Sequence, residues 1–363
     1  MQNTKDSQII QDSSPVKVEP GSLNSVYSQN MPDILTQLGI SLVISTYQAG
    51  KVIMVQAVNG VITTQFRDFN KPMGIAVSNG HLSIGTQNAV LHYQSVPDLA
   101  SRYDPDRNHG DFYAPQRVSV TGDIDIHEMA WGTDGLWIVN TKYGALCTLD
   151  ANQNLTPRWH PHFISALSPE DRCHLNGLAM VDGKPKYVTT FGETDSAGGW
   201  RENKRDGGIL MDVESNQILT RGLSMPHSPR VYDGKLWVLE SGTGGVGWFD
   251  PAALAQGLYG SQFIQIMAQL PGFTRGLDFA GPLAFVGLAQ VRESSVTTGF
   301  PLVERVEDRA CGVWVINIYT GETVAFLRFE GEVHEIFAVQ VLPALSPEML
   351  AWDDARSMST FKL

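Results

Sequence analysis

Residues 173–190, CHLNGLAMVDGKPKYVTT, and residues 224–242, SMPHSPRVYDGKLWVLESG, are two versions of one unit. Each sets a histidine, His174 or His227, just before an apolar run, then an Asp-Gly turn, then a strand rich in β-branched and aromatic residues. Asp-Gly between two such runs predicts a tight hairpin. Moving outward, the unit recurs as MGIAV-SNG-HLSIGT from Met73, EMAW-GTDG-LWIVNT from Glu128 and GLDF-AGP-LAFVGL from Gly276. Second strands begin near Leu42, Leu82, Leu136, Tyr187, Leu236 and Leu283. A repeat of roughly 40–50 residues with several strands per unit predicts an all-β fold, a β-propeller.

The ends of the chain set the blade count. Residues 41–70 carry three strands with no inner strand before them, and VHEIFAVQVLP (333–343) is an inner strand with nothing after it. Pairing the two makes six blades and removes the exposed edges of an open sheet. The expected organisation is a polar, flexible N-terminal arm over 1–30, a six-bladed propeller over 31–345 and a C-terminal tail over 346–363. MPDILTQL (31–38) reads as a short helix plugging one face. Three insertions interrupt the repeat: Asp98–Gln116 in blade two, Gly192–Gly208 in blade four and Ala289–Cys311 in blade six. The last two fall between second and third strands, on the face where the inner strands begin, and long loops there suggest lids.

Composition narrows the partners. Lys and Arg number 26 against 38 Asp and Glu, a formal charge of −12, which argues against non-specific nucleic-acid binding. The three cysteines, Cys147, Cys173 and Cys311, are widely spaced with no CxxC, as expected of a reducing compartment. No signal peptide and no apolar run of about 20 residues is visible, so the expected location is cytoplasmic, away from membranes.

Aligning the inner strands places His127, His174, His227 and His334 at the channel mouth, one each from four blades. Neutral imidazole is a common ligand for iron and zinc, so these four are candidate metal ligands. They equally suit a water-filled channel lined without metal. Strand alternation lets one member of each pair His127-Glu128 and His334-Glu335 face the channel. Glu128, Glu335 and Glu240 are candidates for the catalytic base or for carboxylates orienting the imidazoles. Thr141 and Glu193 end second strands near the same mouth. MPHSPR (225–230) holds His227, Ser228 and Arg230 on a segment stiffened by Pro226 and Pro229. Arg230 or Arg275 suits bidentate binding of a carboxylate or phosphate; Arg230 equally suits an ion pair between blades. Asn176 lies beside His174, and GGWRENKRDGG (198–208) offers Trp200 and Arg201 as substrate contacts. WHPHF (159–163) offers a second histidine pair, His160 and His162, in an interblade loop. GTGGVG (242–247) lies between two strands and reads as a hairpin.

At WHPHFIS, EDRCHLNGLA, GGWRENKRDGG and MPHSPR the chain resembles a bacterial family of uncharacterised conserved proteins, from about Ser41 to Leu342. The resemblance implies no activity. At fold level the chain is similar to six-bladed lactonase and strictosidine-synthase-like propellers, which hold a channel metal through Glu, Asn and Asp. Its histidines are also similar in number to the iron ligands of carotenoid-cleaving oxygenases, whose propellers have seven blades. The expectation is a metal-dependent enzyme, oxygenase-like or hydrolytic, acting on a small molecule or peptide. The alternative is a non-enzymatic propeller presenting the same face to a peptide or protein.

Overall fold

A computed structural model of the chain describes residues 23–99, 111–150, 152, 154–258, 260–290, 299 and 301–360. Six antiparallel sheets form six blades. The inner strands are Ala338–Leu342, Ile75–Ser78, Ile126–Gly132, Leu175–Val181, Pro226–Tyr232 and Phe273–Ala280 for blades one to six. Each packs on the next, and the sixth packs on the first. Tight hairpins give the repeat its rhythm. At Asn59-Gly60, Asn79-Gly80, Asp182-Gly183 and Asp233-Gly234 both residues have positive φ, the backbone that matches strand twist in a two-residue turn.

The ring closes as the ends of the sequence imply. Ala338–Leu342 pairs antiparallel with Ser41–Thr46, in a register running from Ser41 opposite Leu342 to Ser45 opposite Ala338. The helix Met31–Leu38 ends at Gly39, whose φ is +68. Its Met31 and Leu35 are fully buried against Ile53, Val315 and Leu327, over the seam between blades one and six.

Both ends of the propeller differ from the expected boundaries. Ser25–Tyr27, expected in the N-terminal arm, is a fifth strand on Thr323–Phe329 of blade six. Glu348–Met349, expected in the tail, pairs in parallel with Phe112–Tyr113 of blade two. An outermost strand presents unpaired N–H and C=O groups, and a short segment of either terminus satisfies them.

The blade-two insertion is shorter than expected, because Phe112–Val120 is that blade's outer strand; residues 100–110 lie outside the described ones. In the blade-four insertion, Gly199–Glu202 forms a single 3-10 turn. In the blade-six insertion, Pro301–Arg305 forms a helical turn, and residues 291–298 and 300 lie outside the described ones. The two insertions meet. Arg205 donates to the Gly299 carbonyl at 2.7 Å and pairs with Glu304 at 3.2 Å. Beneath them Phe191, Trp200 and Met225 cluster with Phe273 and Val303, roofing one end of the channel.

Candidate functional site

The inner strands of blades three to five begin alike. Asp125, His174 and Met225 have φ of +53, +53 and +47, a left-handed step that aims the following strand into the channel. The next residues pair as Ile126 with Asn140, Leu175 with Thr190 and Pro226 with Glu240. His127, Asn176 and His227 are therefore equivalent. Blade six joins them through a repeated bond: the Thr141 hydroxyl donates to the Leu175 carbonyl at 2.6 Å, and the Ser241 hydroxyl donates to the Thr274 carbonyl at 2.5 Å. Arg275 thus shares the level of His127, Asn176 and His227. His174 sits one level higher, with Asp125, Met225 and Phe273.

The two levels line two chambers. The upper has a volume of about 230 Å³ and is walled by Tyr47, Met73, His174, Phe191 and Phe337 among others. The lower has about 10 Å³, room for one water molecule, and is lined by His127, Asn176, His227 and Arg275 together with Glu128 and Ser228. His127, His227, Arg275 and Phe337 line both and form the throat between them.

Hydrogen bonds fix the tautomers. The only proton of Thr141 goes to the Leu175 carbonyl, so Nδ1 of His127, 2.8 Å from that hydroxyl, must donate to it. The Asp125 carbonyl, 3.3 Å from the same nitrogen, can only accept. At His227 the Ser241 hydroxyl at 2.7 Å and the Met225 carbonyl at 3.2 Å repeat the arrangement. His174 donates Nδ1–H to Asp171 at 2.9 Å. In the neutral rings of His127 and His227 Nε2 is left with the lone pair. Burial holds His127 and His227 well below the usual imidazole pKa, and the positive fields of Arg275 and His174 push the same way.

Not every candidate joins this site. His334 is exposed, and its Nδ1 meets the Gln290 side chain at 3.2 Å. It precedes its strand by four residues, whereas His127 and His227 lie inside theirs, so the expected four-histidine ring is corrected to three histidines on two levels. His127 and His174 meet edge to face with ring centres 4.7 Å apart. Among the described residues no group of three or more His, Cys, Asp or Glu side chains is placed to hold a metal ion.

The carboxylates also lie elsewhere. Glu335 is buried and accepts from the Gln48 amide at 3.2 Å and the Thr46 hydroxyl at 3.3 Å. Glu240 accepts from the Ser224 amide at 3.1 Å, and burial raises its pKa. Glu193 is paired with Arg221 at the surface. Glu128 faces the lower chamber although its neighbour His127 does too, because the sheet register slips between Ile138 and Asn140. Its two oxygens each lie 3.1 Å from Arg230, which also donates to the Leu178 and Pro229 carbonyls. The interblade ion pair thus takes Arg230 away from substrate binding. Ser228 accepts from the Gly276 amide at 3.1 Å. His160 and His162 bond to Asn216 and neighbouring backbone, away from both chambers.

Trp200 and Arg201 reach the site through Asp171, which the sequence reading missed. One Asp171 oxygen orients His174, and the other accepts from the Trp200 indole at 2.9 Å and Arg201 at 3.0 Å. The Trp200 ring lies 4.4 Å from the His174 ring, and the Arg201 guanidinium lies over the Trp200 ring at 4.3 Å. The available signal was an acid three residues before a channel histidine, in EDRCH. Asn176 keeps Nδ2 buried with no partner, while its oxygen accepts from Thr189 at 2.7 Å.

A six-bladed propeller with a two-level channel mouth, polar below and largely apolar above, is the class that the fold and site define. Residues 29–350 match the family described as a domain of unknown function, DUF4915, and the chain belongs to that family. No curated protein matches the chain. Among solved structures it is similar to the nidogen/laminin complex at 9% identity and a TM-score of 0.52, covering 84% of this chain and 98% of that one. It is also similar to the PQQ-bound aldose sugar dehydrogenase of Streptomyces coelicolor (13% identity, TM-score 0.44, 83% and 91% covered) and to a gluconolactonase of Xanthomonas campestris (14%, 0.42, 80% and 82%). Likeness at such identity concerns the fold and carries no chemistry. No helix among the described residues is long and apolar enough to cross a membrane.

Proposed function

We propose that the protein is a hydrolase for a small molecule, working through a water seated in the lower chamber and activated by His127 and His227. One observation supports this most: equivalent positions of blades three, four and five present an acceptor, a donor and an acceptor around the space of a single water. A water donates its two protons to the two Nε2 atoms and accepts from Nδ2 of Asn176. Both imidazoles are neutral at neutral pH and so hold the lone pair that takes the proton, though their lowered pKa makes them weaker bases than a free imidazole. In the reaction one water proton passes to a histidine Nε2 while the water oxygen bonds to the substrate's acyl carbon. The leaving group departs with the proton that the imidazolium returns, so one water is consumed and the histidine ends neutral.

Iron or zinc bound through the same Nε2 lone pairs is the alternative chemistry. The local field weighs against it, because the Arg275 charge that discourages protons on His127 and His227 also opposes a divalent ion. A recessed chamber below the roughly 300–1,000 Å³ of drug-sized sites favours a small ligand over a peptide or protein. The test is to assay small esters and lactones, before and after chelation, with wild-type protein and with His127→Gln and His227→Gln. The expected result is hydrolysis that survives chelation and falls about 10²–10⁴-fold in either variant. Activity that vanishes with a stoichiometric metal and returns with it would replace this reading by the metal-centred one.

A further inference from the structure

Most of the upper chamber wall is apolar: Met73, Phe191, Met225, Phe273 and Phe337. Its fixed charges are few. Lys71 and Asp125 form an ion pair at 2.6 Å and largely cancel. The other charge is Arg275, whose guanidinium carbon lies over the Phe337 ring, 3.5 Å from its centre. Among the described residues no carboxylate lies within ion-pair distance of Arg275, and none of its N–H groups has a hydrogen-bond partner. Glu335 and Asp125 act on it from further away, and burial lowers its pKa. With the ring against its carbon, the guanidinium keeps its outer N–H donors for a planar, two-oxygen acceptor.

We infer that the upper chamber binds a small carboxylate with an apolar body, the carboxylate gripped by Arg275 and the body held by the ring of Phe and Met side chains. Arg275 also lines the lower chamber, so the carboxylate sits beside the proposed water, within reach of the blades that carry His127 and His227. A doubly charged phosphate fits less well, since Lys71, the other cation on this wall, is already paired with Asp125. The inference deepens the hydrolase reading, and rests on it for the chemistry that follows binding but not for binding itself.

Calorimetric titration of the full-length protein with benzoate, hexanoate, benzamide and phenyl phosphate tests it. The two carboxylates are expected to bind, with benzamide and phenyl phosphate at least tenfold weaker than benzoate. Arg275→Met should cost the carboxylates at least tenfold and leave benzamide unchanged, with Arg275→Lys in between. Arg275→Met should melt no lower than wild type, because it removes a buried cation with no close partner. Acid and amide binding alike, phosphate binding tightest, no carboxylate binding, or undiminished benzoate binding by Arg275→Met would each overturn the inference. Binding is read without turnover. Arg275-dependent carboxylate binding with no ester hydrolysed would keep this inference and remove the hydrolase; His127-dependent hydrolysis of neutral esters without carboxylate binding would do the reverse.

Discussion

His127 and His227 owe their electronic state to hydroxyls on neighbouring strands. Thr141 and Ser241 each accept from an imidazole and donate to the carbonyl of the next blade. Side-chain ¹⁵N spectra at pH 7 should therefore show both rings neutral with the proton on Nδ1, and still neutral at pH 5.5. Thr141→Val should change the His127 resonances and leave those of His227 in place. Two rings protonated at pH 7 would remove the basis for general-base chemistry.

Buried neutral histidine also makes the fold acid-sensitive. His92, bonded to Ser83 and Ser119 inside blade two, has its pKa lowered by burial to about 4. Above pH 6.5 it is neutral in both the folded and unfolded chains. Below that the unfolded chain takes up a proton that the folded one refuses, so stability falls as pH drops, until pH reaches about 4. The loss from this group between pH 6.5 and 5 is roughly 2 kcal/mol. Glu128, Asp278 and Glu240, raised by burial, work in the opposite sense, from their ordinary pKa of about 4 upward. Urea unfolding of wild type and His92→Gln at both pH values isolates the histidine: the variant should lose less stability between them.

At the scale of elements, Arg230 ties four blades together. Its ion pair with Glu128 links blade five to blade three, its bond to the Leu178 carbonyl reaches blade four, and the field of Asp278 reaches it from blade six. Burial works against the Arg230 charge, but Glu128 outweighs it and the guanidinium stays charged. Arg230→Met leaves two carboxyl groups buried without their cation and should cost about 3–5 kcal/mol in chemical denaturation. Adding Glu128→Gln should recover part of that loss. Strand by strand, the blades were legible because their period-two patterns and Asn-Gly and Asp-Gly turns are local signals. The level of each histidine was not. It depends on the left-handed steps at Asp125, His174 and Met225 and on a slip of pairing opposite His127, and none of these marks the sequence. His334 was misplaced for the same reason: the run VHEIFAVQVLP looks like strand throughout, yet pairing starts at Ala338. Asp171 was missed because its partners, Trp200 and Arg201, come from an insertion whose fold is tertiary.

For the whole molecule, closure rests on one strand pair. Deleting residues 338–342 should abolish the cooperative unfolding transition, because blade one loses its inner strand and the ring opens. Deleting residues 1–28 removes the clasp Ser25–Tyr27 on blade six and should lower the melting temperature while keeping a single transition. A truncated ring that still melted cooperatively would mean that the other five blades suffice.

Blade one has a history as well as a shape. Gln48 and Glu335, which touch across its closing seam, are 287 residues apart. On the ribosome its first three strands emerge well before their partner, Ala338–Leu342. At about 5–20 residues per second, that edge waits roughly 15–60 seconds, apolar on both faces and without its neighbour. An exposed edge of this kind recruits other nascent chains. Over that interval a chaperone, or dilution, keeps the open edge from pairing with other chains.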